Sequence, residues 1–253
     1  MENEQIMMLD ILLETHLGLE RQGPGSADAT LRALGFIDAP ESITRAADLG
    51  CGTGGQTMVL AKNISGSIVG LDQFSGFIDV LNDNAERKNL GDRVRGIVGS
   101  MENLAFERES LDLIWSEGAI DSIGFESGLT HWNGFLKSGG FIAVTCPTWL
   151  TAERPNELES FWADAGCELD TVARNIEIMQ SCGYGFIAAF VLTDECWTDN
   201  YFTPRNAAER LFSEKHPANK TVAEYIKSSR YETELFAKYK QHYGYVFYIG
   251  RKQ

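Results

Sequence analysis

Short, uniformly apolar runs alternate with amphipathic stretches through the first 146 residues of the chain. Five apolar runs predict strands, over residues 46–49, 68–71, 94–98, 111–115 and 141–145. Between them, apolar positions at helical spacing predict helices over 57–63, 77–89 and 126–136. Strands that lack a polar face are typical of parallel sheets covered on both sides. The alternation therefore predicts a doubly wound α/β fold.

This alternation stops after residue 146. Residues 147–182 are expected to be helical, and 186–193 and 245–249 are expected to form two further strands. Thr221 and Glu224 are spaced as a capping box, which predicts a helix from there to about residue 239. No repeat or linker divides the chain, which favours a single domain.

Two helices are predicted before the first strand. The first covers residues 5–17, and the second begins at the cap Ser26 and ends at Gly35. The side chains expected to face inward are Ile6, Leu9, Leu13 and Leu17 in the first helix, and Leu31 and Leu34 in the second.

The loop between these helices contains a Gly-Pro-Gly sequence at 23–25, which suits a hinge. Arg21 and Gln22 stand just before it and offer hydrogen-bond donors. Two interpretations stay open at this point. Residues 1–45 form a lid over a site in the following sheet, or they form a docked helix joined by a plain turn.

Composition and charge narrow the class of protein. With 43% hydrophobic and 23% charged residues, the 253-residue chain can build a core. Its net charge of −14 disfavours nucleic acid and anionic membranes as partners. The acidic start of the chain and the lack of a long apolar run predict a cytoplasmic protein. The five cysteines and four histidines lack metal-ligand spacing, so no metal is expected, and a homodimer remains open.

The most informative segment is ADLGCGTGG at residues 47–55, where the first strand turns into a helix. Glycines there let a ligand approach the backbone, and the following helix offers free N–H groups. Gly50, Gly52 and Gly55 also fit the dinucleotide pattern G-x-G-x-x-G, and a glycine turn without ligand is a further alternative. Asp48 precedes the glycines, and Asp72 follows at the end of the second strand, where it suits ribose hydroxyls.

These residues resemble the class I S-adenosylmethionine-dependent methyltransferases. The run 48–55 is similar to their first motif, GLD at 70–72 to their second-strand motif, and LKSGGF at 136–141 to their turn into the fifth strand. Within the family the chain is most similar to small-molecule enzymes of the ubiquinone/menaquinone-biosynthesis type. The resemblance implies a Rossmann-like, mostly parallel seven-stranded sheet with an antiparallel C-terminal strand pair. It assigns 46–146 to the cofactor-binding core and 147–253 to the C-terminal half of the sheet with helical inserts.

The resemblance also implies roles for individual residues in binding S-adenosylmethionine. The methionine part would lie over the glycine loop, with Asp48 near its amino group, while Asp72 takes the ribose and Gln73 or Phe74 flanks the adenine. After the third strand the family usually has an acid, where this chain has Ser100, so that either Ser100 or Glu102 would replace the carboxylate. The residues implied at the cofactor are Asp48, Gly50, Cys51, Gly52, Thr53, Gly54, Asp72, Gln73, Phe74, Ser100, Met101 and Glu102.

The function expected is methyl transfer to a small-molecule acceptor. Glu117 follows the fourth strand, where it either steers or deprotonates an acceptor, or is a plain solvated or capping glutamate. Trp197 and Tyr201 are core residues or line a substrate pocket, and Arg21 and Gln22 belong to the lid hypothesis. Two other functions remain: a non-catalytic S-adenosylmethionine-binding sensor or subunit, and an NAD-dependent oxidoreductase. The latter would need a second parallel half of the sheet.

Overall fold

One mixed sheet organises the fold in the computed structural model, which describes residues 6–253. Its seven strands lie in the order β3-β2-β1-β4-β5-β7-β6. Strands β1 to β5 are parallel, and β7 runs antiparallel to both of its neighbours, β5 and β6. The strands are β1 (Arg45–Leu49), β2 (Ser67–Asp72), β3 (Val94–Val98), β4 (Leu111–Ser116), β5 (Leu136–Trp149), β6 (Tyr184–Val191) and β7 (Tyr243–Lys252). The predicted fold class, including the antiparallel C-terminal pair, is confirmed.

Helices cover both faces of this sheet. They are α1 (Met8–His16), α2 (Ala27–Leu34), α3 (Gly55–Asn63), α4 (Ser75–Arg87), α5 (Phe125–Asn133), α6 (Asn156–Asp164), α7 (Val172–Ser181), α8 (Asp194–Trp197), α9 (Thr203–Lys215) and α10 (Lys220–Tyr239). The central strands are buried on both sides, as the apolar runs predicted: four of the five residues of β1 are buried.

The prediction of continuous helix over residues 147–182 is wrong. Strand β5 continues to Trp149, because its last residues pair with the start of β7. Helices α6 and α7 follow, and the segment between them contains Gly166 in a left-handed conformation, which ends helical geometry. Helix α5 also ends at Asn133, three residues early, because Leu136 already belongs to β5.

The buried face of α1 differs from the predicted one. Ile11 packs against Phe212, Val222 and Ile226 of α9 and α10, whereas Leu9 is 50% exposed. Leu17, expected inward, is also exposed, as is Leu31 in α2. Helix α1 carries leucines on more than one face, so its partner helices decide which face is buried. The predicted start of this helix at residue 5 lies outside the described residues.

Polar side chains begin several helices. The predicted cap Ser26 accepts a hydrogen bond from the backbone N–H of Ala29 at 3.0 Å. Helix α10 starts one position before the proposed Thr221, because the side chain of Asn219 accepts from the N–H of Val222 at 3.1 Å. Helices α8 to α10 form an insert between β6 and β7, and α9 and α10 pack against α1. Within residues 6–253, no helix is long and apolar enough to cross a membrane.

Candidate functional site

A cavity of about 500 Å³ lies at the carboxyl ends of the parallel strands. Ligands of open α/β sheets bind in this crevice, and the volume falls in the range of small-molecule pockets. The cavity brings together most of the residues predicted for the cofactor. Those that line it are Gly50, Cys51, Gly52, Asp72, Gln73, Phe74, Ser100, Met101 and Glu102, together with Arg21, Gln22 and Glu117.

The loop after β1 has backbone geometry that requires glycine. Gly50 and Gly52 have φ angles of 72° and 53°, in the left-handed region. A Cβ atom on Gly50 would lie 2.3 Å from Cβ of Ala119, and one on Gly52 would lie 1.9 Å from Oε1 of Gln22. The bare backbone is thus packed between the loop after β4 and the N-terminal segment.

Asp48 lies behind this loop and does not line the cavity. It is completely buried, and its carboxylate accepts a 2.5 Å hydrogen bond from the hydroxyl of Thr57 and a 3.4 Å one from Gln56. Burial raises its pKa to about 7, although the bond from Thr57 opposes the shift. Gln56 also donates to the carbonyl of Cys51 and reaches the cavity. Asp48 therefore anchors the start of α3 beneath the glycine loop.

Asp72, at the end of β2, holds two backbone segments together. One carboxylate oxygen accepts from the N–H of Gly52 at 3.0 Å, and the other accepts from the N–H of Phe74 at 3.0 Å. Burial raises the pKa of Asp72, and these two hydrogen bonds oppose the shift. Each carboxylate oxygen has a second lone pair, so the group can still accept from ligand hydroxyls.

The turn after β3 completes this side of the cavity. The hydroxyl of Ser100 accepts a 3.1 Å hydrogen bond from the N–H of Glu102, so Ser100 caps the turn. The carbonyl of Met101 accepts from the indole of Trp132 at 3.0 Å, which fixes this backbone against α5. Ser100 and Glu102 are both exposed at the cavity rim.

The carboxylate of Glu117 accepts hydrogen bonds from three side chains. Its Oε2 forms a 2.6 Å ion pair with Arg21, and its Oε1 accepts from Thr30 at 2.7 Å and from the indole of Trp115 at 2.8 Å. The two charged side chains are only 7% and 4% exposed. Its action on an acceptor stays a prediction. The geometry shows a glutamate that ties the N-terminal segment to the end of β4.

Gln22 makes a second connection between the N-terminal segment and the glycine loop. Its Oε1 accepts from the N–H of Thr53 at 3.0 Å, and its Nε2 donates to the hydroxyl of Thr53 at 3.0 Å. That hydroxyl in turn donates to the carbonyl of Leu19 at 2.8 Å. Thr53 and Gly54 lie beneath the loop and do not line the cavity. Thr53 therefore anchors residues 19–22.

A second cavity, of about 340 Å³, adjoins the first on its N-terminal side. Both cavities are lined by Leu12 and Gln22, which form their common wall. Tyr201 lines the second cavity. Trp197 lines neither: it is buried and stacks on Phe236, with ring centroids 4.4 Å apart. Of the two alternatives left open for these residues, core or pocket lining, Trp197 therefore fits the first, and Tyr201 lines a cavity.

Several residues of the site were not anticipated. Gln56 follows the glycine motif directly, and its place in the first turn of a helix was the available signal. Ala119 packs against Gly50, and the sequence indicated only that Ala119 follows the end of β4. The buried pair Arg205 and Glu209 stands four apart in α9, a spacing that usually marks an exposed helix face. No sequence signal pointed to it.

Comparison with known proteins agrees with this geometry. Residues 46–140 match the family profile described as methyltransferase domain. These residues, 95 of the 253 in the chain, are therefore similar to methyltransferase domains. The similarity to quinone-biosynthesis enzymes stays a prediction.

Curated relatives match the chain over part of their length. A sarcosine/dimethylglycine N-methyltransferase of Aphanothece halophytica is 32% identical over 110 residues, 41% of this chain and 38% of the relative. An erythromycin 3''-O-methyltransferase of Saccharopolyspora erythraea is 30% identical, covering 50% and 41%. A sterol 24-C-methyltransferase of Debaryomyces hansenii is 29% identical, covering 51% and 35%. The matched segments thus span about two fifths of these relatives.

Solved structures share the fold over nearly the whole chain. A methyltransferase of Geobacter sulfurreducens in complex with S-adenosylhomocysteine superposes with a TM-score of 0.81 at 19% identity, covering 96% of this chain and 98% of its own. YjhP of E. coli gives 0.80 at 20% identity, covering 96% and 99%. The fold therefore extends beyond the matched domain, to the insert and to the N-terminal helices.

Proposed function

We propose that the protein transfers a methyl group from S-adenosylmethionine to a small-molecule acceptor. The observation that supports this most is the convergence of three loops on one cavity: the glycine loop after β1, Asp72 at the end of β2, and the turn after β3. The methyltransferase domain match of residues 46–140 supports the same activity.

The residues present fit this ligand. The remaining lone pairs of the Asp72 carboxylate, which lines the cavity, suit two ribose hydroxyls, while Gln73 or Phe74 would flank the adenine. Gly50, Cys51 and Gly52 would lie under the methionine part, because only a backbone without bulky side chains leaves space there. S-adenosylmethionine, when bound, supplies a methyl group on a positively charged sulfur. Arg21 offers a guanidinium at the same cavity, which suits the ligand's carboxylate.

The contribution of the protein to this chemistry is mainly placement and exclusion of water. Arg21 and Gln22 bring the N-terminal segment over the cavity, through the ion pair to Glu117 and the bonds to Thr53. In this proposal Glu117 is a positioning residue, and Asp48 supports the loop from behind through Gln56 and Thr57. Residues 1–45 would act as the lid, and 46–146 as the cofactor-binding core.

The other expectations belong to the same proposal. The protein would act in the cytoplasm on free small molecules and not on nucleic acid, in keeping with its net charge of −14. A homodimer stays a prediction, for which light scattering of the purified protein is the measurement.

The test combines binding with turnover. Calorimetry should show binding of S-adenosylmethionine and S-adenosylhomocysteine, and none of NAD, which would bind tightly to an oxidoreductase. S-adenosylhomocysteine release with a small-molecule extract, followed by mass spectrometry of the product, then separates an enzyme from a sensor. Tight binding of S-adenosylmethionine, without release of S-adenosylhomocysteine in the presence of any acceptor, would favour the sensor. Binding of NAD would overturn the proposal.

A further inference from the structure

The second cavity has the position expected of an acceptor site. It lies between α1, α6, α9 and α10, and it shares Leu12 and Gln22 with the cavity proposed for the cofactor. Gln22 is also the side chain that contacts Gly52 and Thr53 of the glycine loop. A molecule held there would therefore lie next to the methionine end of the cofactor cavity.

Within the described part of the chain, the only strong cation that lines this cavity is Arg205, and both of its terminal nitrogens donate to protein groups. Nη1 of Arg205 donates to Glu232 and to the hydroxyl of Tyr201, and Nη2 donates to the carbonyl of Ser229 and the hydroxyl of Thr233. Its remaining N–H, on Nε, is buried without a hydrogen-bond partner in the described chain, 3.6 Å from a carboxylate oxygen of Glu209. Arg205 therefore gives both terminal nitrogens to protein groups, and its remaining N–H is not accessible to an anionic ligand.

Free acceptor groups remain. Glu232 uses one oxygen for Arg205, and no side chain among residues 6–253 donates to its other oxygen. This side chain is 22% exposed and lines the cavity. A second carboxylate, Glu209, forms an ion pair with the same guanidinium, so two acidic side chains share one arginine. The hydroxyl of Ser229 donates to Glu209.

His16 adds a second acceptor to the wall. Its Nδ1 lies 2.9 Å from the carbonyl of Leu12, and since a carbonyl only accepts, Nδ1 carries the proton. Burial lowers the pKa of His16 to about 4, so the ring is neutral near pH 7, and Nε2 holds a lone pair. Most of the remaining wall is apolar or aromatic, and Gln22, Ser228 and Ser229 add uncharged polar groups to it. The apolar and aromatic residues are Met8, Leu12, Phe161, Tyr201 and Tyr225.

We infer that this cavity binds the methyl acceptor, and that the acceptor is a small amine with an apolar or aromatic body. The inference rests on the proposed function. A wall with free acceptors, aromatic faces and no free cation favours a ligand that donates hydrogen bonds and carries positive charge. A carboxylate or phosphate of the same size would meet Glu232 without a partner.

The transfer balances for an amine. The bound ammonium first loses one proton to water, which frees the lone pair on nitrogen. This lone pair forms the N–C bond to the methyl carbon, and the C–S bond breaks with its electron pair going to sulfur. The product nitrogen thereby carries the positive charge that was on sulfur, so Glu232 favours both the acceptor and the product without taking the proton itself.

A matched ligand series tests the class of acceptor. The probes are 2-phenylethylamine, 2-phenylethanol and phenylacetate, with ethanolamine and glycolate as a smaller pair. Calorimetry in the presence of S-adenosylhomocysteine measures binding without turnover, and release of S-adenosylhomocysteine from S-adenosylmethionine measures transfer. At least one amine should bind and be methylated on nitrogen, while the carboxylates should do neither. Stronger binding of an alcohol or a carboxylate, or no binding of any amine to a protein that binds S-adenosylmethionine, would overturn the inference.

Two pairs of variants test the location. Ser228 is exposed at the mouth of the cavity, so Ser228→Trp should block it without disturbing the core, whereas the exposed neighbour Lys227→Trp should not. Glu232→Gln should raise the amine KM roughly tenfold or more, because a charged hydrogen-bond partner is lost. The exposed Glu234→Gln on the same helix is its control.

Calorimetry separates failure of the inference from failure of the proposed function. Ser228→Trp should bind S-adenosylmethionine like the unaltered protein while losing the amine. An amine KM unchanged in Ser228→Trp would move the acceptor site elsewhere and leave the proposed function intact. Absence of S-adenosylmethionine binding in the unaltered protein would instead remove the proposed function.

Discussion

Replacing Glu117 by glutamine removes the charge that pairs with Arg21. The Glu117 carboxylate accepts from Arg21 at 2.6 Å, from Thr30 at 2.7 Å and from Trp115 at 2.8 Å. A glutamine oxygen can keep the bonds from Thr30 and Trp115, but its amide group then faces the guanidinium, and two donors oppose each other. Arg21 retains only the bond from its Nη2 to Thr30.

The expected cost follows from these contacts. Removing one partner of a buried ion pair destabilises proteins by about 3–5 kcal/mol, and the two retained hydrogen bonds place Glu117→Gln near the lower end. Arg21→Met should cost a similar amount. The double variant should be less destabilised than the sum of the two, by roughly 2 kcal/mol, because no charge is left buried without a partner.

Urea unfolding of the four proteins measures these values, with the exposed Glu126→Gln as the control. Chymotrypsin, which does not cut at arginine, should also cleave residues 6–25 faster in both single variants. If Glu117→Gln unfolds within about 0.5 kcal/mol of the unaltered protein and the two changes simply add, the ion pair does not hold the segment. A loss of turnover with unchanged stability and cleavage would instead favour Glu117 acting on the acceptor.

Three further changes test the cofactor side. Asp48→Asn should gain stability relative to the unaltered protein as pH rises from 4 to 7, by at most about 4 kcal/mol, because the pKa of Asp48 is raised from 3.8 to about 7. In this window the unfolded acid has lost its proton while the folded acid still keeps it, so the unaltered protein becomes less stable. Urea unfolding at several pH values measures this, and parallel pH profiles would contradict it. Asp72→Asn should weaken S-adenosylmethionine binding about tenfold in calorimetry, since a ribose hydroxyl loses a charged acceptor, while the exposed Asp79→Asn should not. Gly52→Ala should cost about 1–3 kcal/mol of unfolding free energy, because its Cβ would lie 1.9 Å from Oε1 of Gln22. The control is Gly23→Ala, whose Cβ would meet nothing within 4 Å. Equal unfolding free energies of the two variants would mean that Gln22 moves aside freely.

The bounds of the first four parallel strands could be predicted closely from the sequence. Strand β3 was predicted with its observed bounds, and β1, β2 and β4 to within one residue at each end. Strands β1, β2 and β4 are covered on both faces, so their apolar runs are continuous and short. Strand β3 lies at the edge of the sheet, and only one of its five residues is buried. The site on this side follows from topology, since the loops after parallel strands meet at one edge.

The N-terminal helix shows why other parts were missed. Periodicity placed Leu9 and Leu17 inward, yet Ile11 is the buried apolar residue of the helix, because the partners of α1 are distant in the chain. For the same reason, the hydrogen bonds of Glu117 could not be predicted from the sequence. Its distance to Arg21 is set by how residues 19–25 lie across the sheet, and no local pattern encodes that contact.

Buried charge was the hardest feature to anticipate. Arg205 and Glu209 have the spacing of a solvent-exposed ion pair on a helix, and α9 itself was not predicted. They are buried because α10 and the ring of Tyr201 cover them, with the guanidinium 4.7 Å from that ring. The burial of this ion pair can be recognised only once α9, α10 and the turn that precedes α9 are placed together.

The division between the two cavities also bears on how acceptor choice is encoded. Every residue that lines the second cavity lies outside the matched domain of residues 46–140, in the N-terminal segment, in α6, or in the insert between β6 and β7. The relatives are named for a sterol, for erythromycin, and for sarcosine and dimethylglycine, and they match over only about two fifths of their length. If the second cavity binds the acceptor, as we propose, then acceptor choice in this chain is determined by helices outside the matched domain. Variants in these helices should then change the amine KM and leave S-adenosylmethionine binding unchanged, as the Ser228→Trp experiment measures.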